Sequence, residues 1–128
     1  MDISRLCIPY TPFEGELSKS KICIVSNAGV HLGAQEPYNT EGDTSIRLIP
    51  GDVDSSKLKI THTHYDHSDA DRDINIVFPI DRLRELAHDG VIGGVTATHI
   101  ALGFTQSFRE LRDKTLPFIA EEIKNNKA

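Results

Sequence analysis

The amino-acid sequence predicts an α/β fold, specifically a single three-layer domain with a mostly parallel sheet flanked by helices. Short apolar runs that suit strands buried on both faces alternate with amphipathic segments that suit helices. The chain has 128 residues, 38% of them hydrophobic and 26% charged, which is ordinary for one globular domain with its own core. We therefore divide it into an extended N-terminal arm over residues 1–20 and an α/β domain over residues 21–128.

Four segments are expected to form strands, because each combines apolar or alternating residues with turn signals nearby. They are residues 21–30, 45–49, 58–61 and 91–100. The first is an unbroken apolar run of the kind found in parallel sheets, and Pro50-Gly51 is a turn dipeptide that ends the second. Ligands of such sheets gather at the carboxyl ends of the strands. We expect His31, the histidines of residues 62–67 and His99 to lie at that edge.

Three helices are expected in the second half of the chain. The first opens at Pro79-Ile80-Asp81 and ends at Asp89-Gly90, where glycine permits the terminating turn. The other two run from about residue 106 to residue 113 and from residue 115 onward, with Phe118 among the residues facing inward. Helices that alternate with apolar strands in this way are typical of layered α/β domains.

Charge and hydropathy exclude two classes of partner. The net charge is −5 without any cluster of Lys and Arg, which argues against nucleic acid as a partner. No apolar run is long enough to span a membrane, and no signal peptide is visible, so we expect a cytoplasmic protein. The two cysteines, Cys7 and Cys23, lack the spacing of a metal or redox pair, and Cys23 is expected to be a small core residue.

Residues 60–73 form the most distinctive segment, with three of the six histidines. His62, His64, Asp66 and His67 reproduce the HxHxDH pattern of metallo-β-lactamase-type hydrolases. Histidines two apart at a strand end would face the same way, and the following loop would supply the other two ligands. This interpretation predicts a site for a Zn or Fe ion.

The length of the chain argues against such a hydrolase. That class needs a larger domain and further ligands downstream, whereas only 61 residues follow His67 and they contain only His88 and His99. The alternative interpretation is a polar loop whose histidines and acids bond to one another and to the backbone.

The blocks that flank this segment point to a family. They are Ala28-Gly29-Val30-His31, Glu41-Gly42-Asp43-Thr44-Ser45, Ile49-Pro50-Gly51-Asp52, residues 66–83, Gly90-Val91-Ile92-Gly93 and Thr98-His99. Their order and spacing resemble the glycine/sarcosine/betaine reductase selenoprotein B family, which includes the selenoprotein subunit of D-proline reductase. The resemblance covers nearly all of residues 20–127 and corresponds to the N-terminal half of those proteins. It is more specific than the short metal pattern.

The resemblance implies reductive cleavage of a carbon–nitrogen bond in a substrate of the glycine, betaine or D-proline type. In the family, a selenocysteine or cysteine near the start of the second half attacks the substrate, and a partner subunit carries a pyruvoyl group. Neither Cys7 nor Cys23 occupies the matching position. We therefore expect a non-catalytic component of a reductase complex, whose partners are a second-half polypeptide or other reductase subunits, together with a small amino acid or betaine.

Four residues are expected to bind the substrate, namely His31, Asp43, Tyr65 and His99. Two of them have a structural alternative, since Asp43 would also suit a turn cap and His99 a core histidine satisfied by backbone. The component hypothesis also predicts a large apolar interface that includes Gly93-Gly94 and Phe104. The competing hypothesis is a stand-alone protein that binds a metal or small molecule through the HxHxDH cluster.

Overall fold

The computed structural model describes residues 10–128. Residues 1–9 of the expected arm, and Cys7 with them, lie outside the described residues. From Tyr10 to Glu16 the chain forms no helix or strand, and a short 3-10 turn follows at Leu17–Lys19. The helices and strands of the domain begin directly after this turn.

The described part of the chain contains short strands and helices in mixed order. The strands are β1 (Lys21–Ile22), β2 (Val25–Ser26), β3 (Val30–Leu32), β4 (Ile46–Pro50), β5 (Leu58–Ile60), β6 (Gly94–Val95) and β7 (Thr98–Leu102). The helices are α1 (Ser68–Arg72), α2 (Ile80–His88), α3 (Phe108–Glu110) and α4 (Leu116–Asn125), and a π-helical turn (Leu111–Thr115) joins the last two. No helix within residues 10–128 has the length and apolar character needed to cross a membrane.

Strand β7 lies at the centre of the main sheet. It runs parallel to β2 and antiparallel to β4, while β1 and β6 pair in parallel. Strands β3 and β5 form an antiparallel pair. The α/β character is thus confirmed, but the sheet is mixed rather than mostly parallel, because the chain turns at Gly29 (φ +80°) and β4 enters in the opposite direction. The three-layer arrangement stays a prediction.

A bulge divides the first and last expected strands into shorter pieces. Ile22 pairs with Val95, and Val25 pairs with Ile100. Between these two pairs, the β6–β7 side therefore contains more residues than the β1–β2 side. The extra residues leave the backbone N–H of Ile24 without a strand partner, and it donates to Nδ1 of His99 at 3.0 Å. The two segments that were each predicted as one strand are therefore interrupted.

The core consists of two clusters on opposite faces of β7. Ala101 packs with one cluster, whereas Ile100 and Leu102 belong to the other, as the alternation of side chains along a strand requires. The first cluster includes Ile80 of α2, and the second includes Ile119 of α4. Ile80 of α2 and Ile119 of α4 thus pack on opposite faces of β7.

The expected helices are largely present, with one difference. Helix α2 spans Ile80–His88, close to its expected bounds. The two C-terminal helices are continuous through the π-helical turn, with no break before Leu116. Because the helix is continuous, its turns set which side chains face inward. Phe118 was expected to face inward, and it is exposed.

Candidate functional site

The histidine-rich loop lies at the carboxyl ends of β2 and β7. Gly29 follows β2, donates its N–H to the carbonyl of Leu102 and accepts from the N–H of Thr61, both at 2.9 Å. A Cβ atom at Gly29 would lie 2.5 Å from the carbonyl oxygen of Thr61, and its φ of +80° favours glycine. Glycine at this position therefore allows residues 61–67 to pack directly against the end of β2.

The rings of His62 and His64 lie near each other, edge to face, with 5.7 Å between their centroids. Strand β5 ends at Ile60, so the alternation expected for HxH on a strand is lost before the first histidine. Nδ1 of His62 accepts from the backbone N–H of His64 at 3.1 Å, and the His64 ring stacks on Phe104 at 3.4 Å between centroids. The two imidazoles thus stabilise the loop and its contact with the segment that follows β7.

Asp66 and His67 make local contacts of a similar kind. Asp66 accepts from the N–H of Ser68, and hydrogen bonds from Ser68 keep the pKa of Asp66 below its usual value. His67 pairs with Asp71 at 2.8 Å through Nδ1 and contacts the carbonyl of His62 through Nε2. Within residues 10–128, no group of three or more His, Cys, Asp or Glu side chains is placed to hold a metal ion. The structure does not bring the four expected ligands together, and metal binding by them stays a prediction.

His62 and Tyr65 form the inner part of the loop. Burial and the neighbouring His64 and His67 lower the pKa of His62, so that its imidazole is neutral at pH 7. The Tyr65 hydroxyl donates to the carbonyl of Ala28 at 2.8 Å, and burial together with Asp71 raises its pKa. Their rings meet at 4.7 Å, edge to face. The inner part of the loop is therefore aromatic.

A groove of about 500 Å³ opens beside this part of the loop. His62 and Asn27 are among its few polar residues, and most of its lining is apolar. Phe108, Leu116 and Val25 line the groove although they are 73%, 48% and 45% exposed. The π-helical turn, a feature often found at functional sites, forms part of the wall through Leu111. We call this cavity the carboxyl-edge groove.

Two residues expected to bind substrate have partners within the chain. His31 is buried, with Nε2 at 2.8 Å from the Thr61 hydroxyl and Nδ1 at 2.7 Å from the carbonyl of Leu32. Asp43 accepts from the backbone N–H groups of Asn39 and Ser45. Burial acts to raise the pKa of Asp43, but its hydrogen bonds and Arg47 together lower it. Asp43 thus closes a turn, as the structural alternative proposed.

His99 lies at the amino end of β7, so its expected position at the carboxyl edge was wrong. The chain forms turns after α2, and β7 begins only at Thr98 and continues to Leu102. The ring is completely buried against Phe78 and supports the bulge at Ile24. None of the four residues lines the carboxyl-edge groove, although Tyr65 packs on His62 and Asp43 donates its N–H to the carbonyl of Phe104, and both of these neighbours line it. Substrate contact by any of the four stays a prediction.

Sequence reasoning located part of the groove and missed the rest. Phe104, expected at an interface, lines it, whereas Gly93 packs against Lys19 elsewhere. Asn27 and Phe108 were not expected. Asn27 carried a usable signal, since it comes just after the apolar run that ends at Val25 and therefore lies near a strand end.

These features define an α/β protein with an open, mostly apolar groove at the carboxyl edge of its sheet. Residues 7–126 match the family model described as glycine/sarcosine/betaine reductase selenoprotein B. The chain belongs to this family, and the resemblance found in the sequence is confirmed.

Three characterised relatives are subunits of reductases. The chain is 36% identical to the D-proline reductase subunit gamma of Acetoanaerobium sticklandii, over 90% of the chain and 48% of the relative. It is 30% identical to the sarcosine reductase complex component B subunit beta of Peptoclostridium acidaminophilum, over 85% and 28%. It is 32% identical to the glycine reductase complex component B subunit gamma of Symbiobacterium thermophilum, over 67% and 21%. The chain spans about half the length of the first relative and less of the others. No solved structure matches the chain significantly.

Proposed function

We propose that this chain is a component of a reductase complex of the glycine, sarcosine or D-proline type, which cleaves a carbon–nitrogen bond reductively. It provides a docking surface and part of the site boundary, while the selenocysteine or cysteine and the pyruvoyl group belong to partner subunits or to the part of the relatives' length that this chain does not span. The observation that carries this proposal is the family match over residues 7–126, which extends over the histidine loop and the groove.

The one cysteine of the described residues is not suited to the nucleophilic step. Burial raises the pKa of Cys23, and its sulfur lies 3.6 Å from the carbonyls of Ile24 and Thr98. A thiol must ionise to attack carbon, so a protonated, half-buried Cys23 is a poor nucleophile. The redox group of the proposed reaction therefore comes from elsewhere in the complex.

The carboxyl-edge groove suits an apolar protein surface better than a free zwitterion. Glycine, betaine and proline carry full charges, and burying a charge without a partner is costly. None of the residues that line the groove is Lys, Arg, Asp or Glu. A partner that covers Phe108 and Leu116 would leave the polar His62 at the boundary, where a substrate held by the partner would meet it.

A chimera tests the proposal. This chain replaces the matched 48% of the D-proline reductase subunit gamma in a strain that lacks that subunit. We expect the chimera to co-purify with the other D-proline reductase subunits and to restore thiol-dependent loss of D-proline. Re-expression of the native subunit is the positive control. A chimera that folds by circular dichroism but neither assembles nor restores activity would contradict the proposed function.

A further inference from the structure

The outer edge of β1 and β2 is unpaired among the residues that the structure describes. Ile100 donates its N–H to the carbonyl of Ile24, so on the alternating backbone of β2 the N–H and C=O of Val25 point away from β7. Within residues 10–128, no further strand pairs with β1 or β2 on this side. An unpaired edge of this kind is a template for another strand.

The opposite edge of the main sheet is covered. On β4, the carbonyl of Leu48 accepts from the Gln35 side chain at 3.1 Å. Arg47 extends its guanidinium to the carbonyl of Glu36 at 3.0 Å. The loop before β4 thus satisfies part of the outer edge of β4. The edge at β4 is therefore partly covered, whereas the edge at β1 and β2 is not.

The side chain beside the open edge is also uncovered. Val25 is 45% exposed and faces the carboxyl-edge groove with Phe108 and Leu116. Strands in parallel pairs are normally buried on both faces. An added strand would complete the backbone hydrogen bonds of β2, and its side chains would cover this apolar surface.

The connections of the sheet indicate where a following strand would lie. The connection from β2 to β7 contains α2, whose Ile80 packs on the face of Ala101, whereas Ile119 of α4 packs on the face of Ile100. Crossovers between parallel strands are almost always right-handed. The right-handed crossover from β2 through α2 moves the chain along the sheet toward β7. A right-handed crossover from β7 through α4, on the opposite face, would move the chain back in the other direction. A strand that follows α4 would therefore lie beyond β2, at the open edge.

We propose that the outer edge of β1 and β2 receives a parallel strand from the polypeptide that corresponds to the part of the longer relatives that this chain does not span. The occupant is inferred from length and topology: the chain spans only 48% of the D-proline reductase subunit gamma, and a strand after α4 is directed to this edge. This inference rests on the proposed function, since it presumes assembly with that polypeptide.

Amide hydrogen exchange, measured on the isolated chain and on the chimera described above, tests the inference. We expect the Val25 amide to exchange at least about a hundredfold more slowly in the chimera, because strand pairing would protect it. The variant Val25→Lys should lower the protection of the added strand at least about tenfold, since charged residues at edges oppose pairing. Leu48→Lys is the matched control, because Leu48 is also a partly exposed strand residue on the same face but lies at the covered edge.

Each other outcome overturns the inference in a distinguishable way. An active chimera with an unprotected Val25 amide would reject the docking edge and leave the proposed function standing. A chimera that fails to assemble would reject both. Protection of Val25 already present in the isolated chain would assign the edge to residues 1–9 if it is independent of concentration. Protection that increases with protein concentration would assign the edge to a second copy of this chain.

Discussion

His99 shows how a chemically reactive residue type can serve the backbone. Its Nδ1 accepts the Ile24 N–H that the bulge leaves unpaired, so the ring must be neutral, with its proton on Nε2. Nε2 is buried without a hydrogen-bond partner among the described residues. Burial and the charge of Arg84 lower the pKa of His99 to about 4. The residue therefore resists protonation where a catalytic histidine would titrate.

This arrangement predicts a loss of stability in mild acid. The folded-state pKa of His99 is about 4, below the ordinary histidine value of 6.5, so the unfolded chain binds the proton more readily between these pH values. Stability should fall as the pH drops through this window, by up to about 3 kcal/mol from His99. His99→Asn keeps an acceptor near Ile24 but cannot titrate, so urea unfolding of the variant should show a shallower pH dependence. His88→Asn, at an exposed position, is the control. Equal slopes for wild type and His99→Asn would contradict the assignment.

At the scale of elements, the histidine loop is held by a few contacts to the end of β2. The Tyr65 hydroxyl reaches the carbonyl of Ala28, and the Thr61 N–H reaches Gly29. The rest of the loop makes mostly local bonds, such as that between His62 and the N–H of His64. Tyr65, together with His64 on Phe104, is therefore a side chain that fixes the loop over the groove.

Tyr65→Phe should loosen this loop without unfolding the domain. Losing one hydrogen bond costs about 1 kcal/mol, so amide exchange over residues 62–67 should rise by about fivefold. Tyr38→Phe is the matched control: it removes a buried hydroxyl that donates to Val30 at 2.9 Å, so it should lower global stability without a specific effect on the loop. If both variants change loop exchange equally, Tyr65 does not anchor the loop.

Local signals predicted some elements well and others poorly. Helix α2 was predicted close to its bounds because its apolar face and its Asp89-Gly90 stop are encoded within the segment itself. The bulge at Ile24 and the direction of β4 depend on pairing with β7, which lies far away in sequence. No pattern within an apolar run reports such a partner.

The same distinction applies to the candidate site. The position of residues 62–67 at a strand end could be predicted, since they follow the apolar β5 directly. The predicted convergence of four metal ligands is absent from the structure. That prediction required β5 to continue beyond Ile60, where the strand ends. The turn role of Asp43 was available as an alternative from its residue type, and the structure has that geometry.

At the scale of the whole molecule, the surface is uneven. The chain carries a net charge of −5, yet one side displays Val25, Phe108 and Leu116 around an open groove. Contiguous exposed apolar surface on a folded protein usually marks an interaction site. The uneven surface is consistent with a component that is completed by assembly.

A dye that binds apolar surface should therefore bind the isolated native chain at this groove. Burying a large apolar side chain stabilises a complex by about 1.5–3 kcal/mol, so the double variant Phe108→Ser, Leu116→Ser should weaken anilinonaphthalene sulfonate binding at least about tenfold. Ile76→Ser is the control, because Ile76 is 62% exposed but does not line the groove. The chimera should also bind the dye weakly, since its added segment would cover the same surface. If the groove variant and the control bind the dye as the wild type does, the exposed side chains do not form one binding surface, and the docking role assigned to them fails.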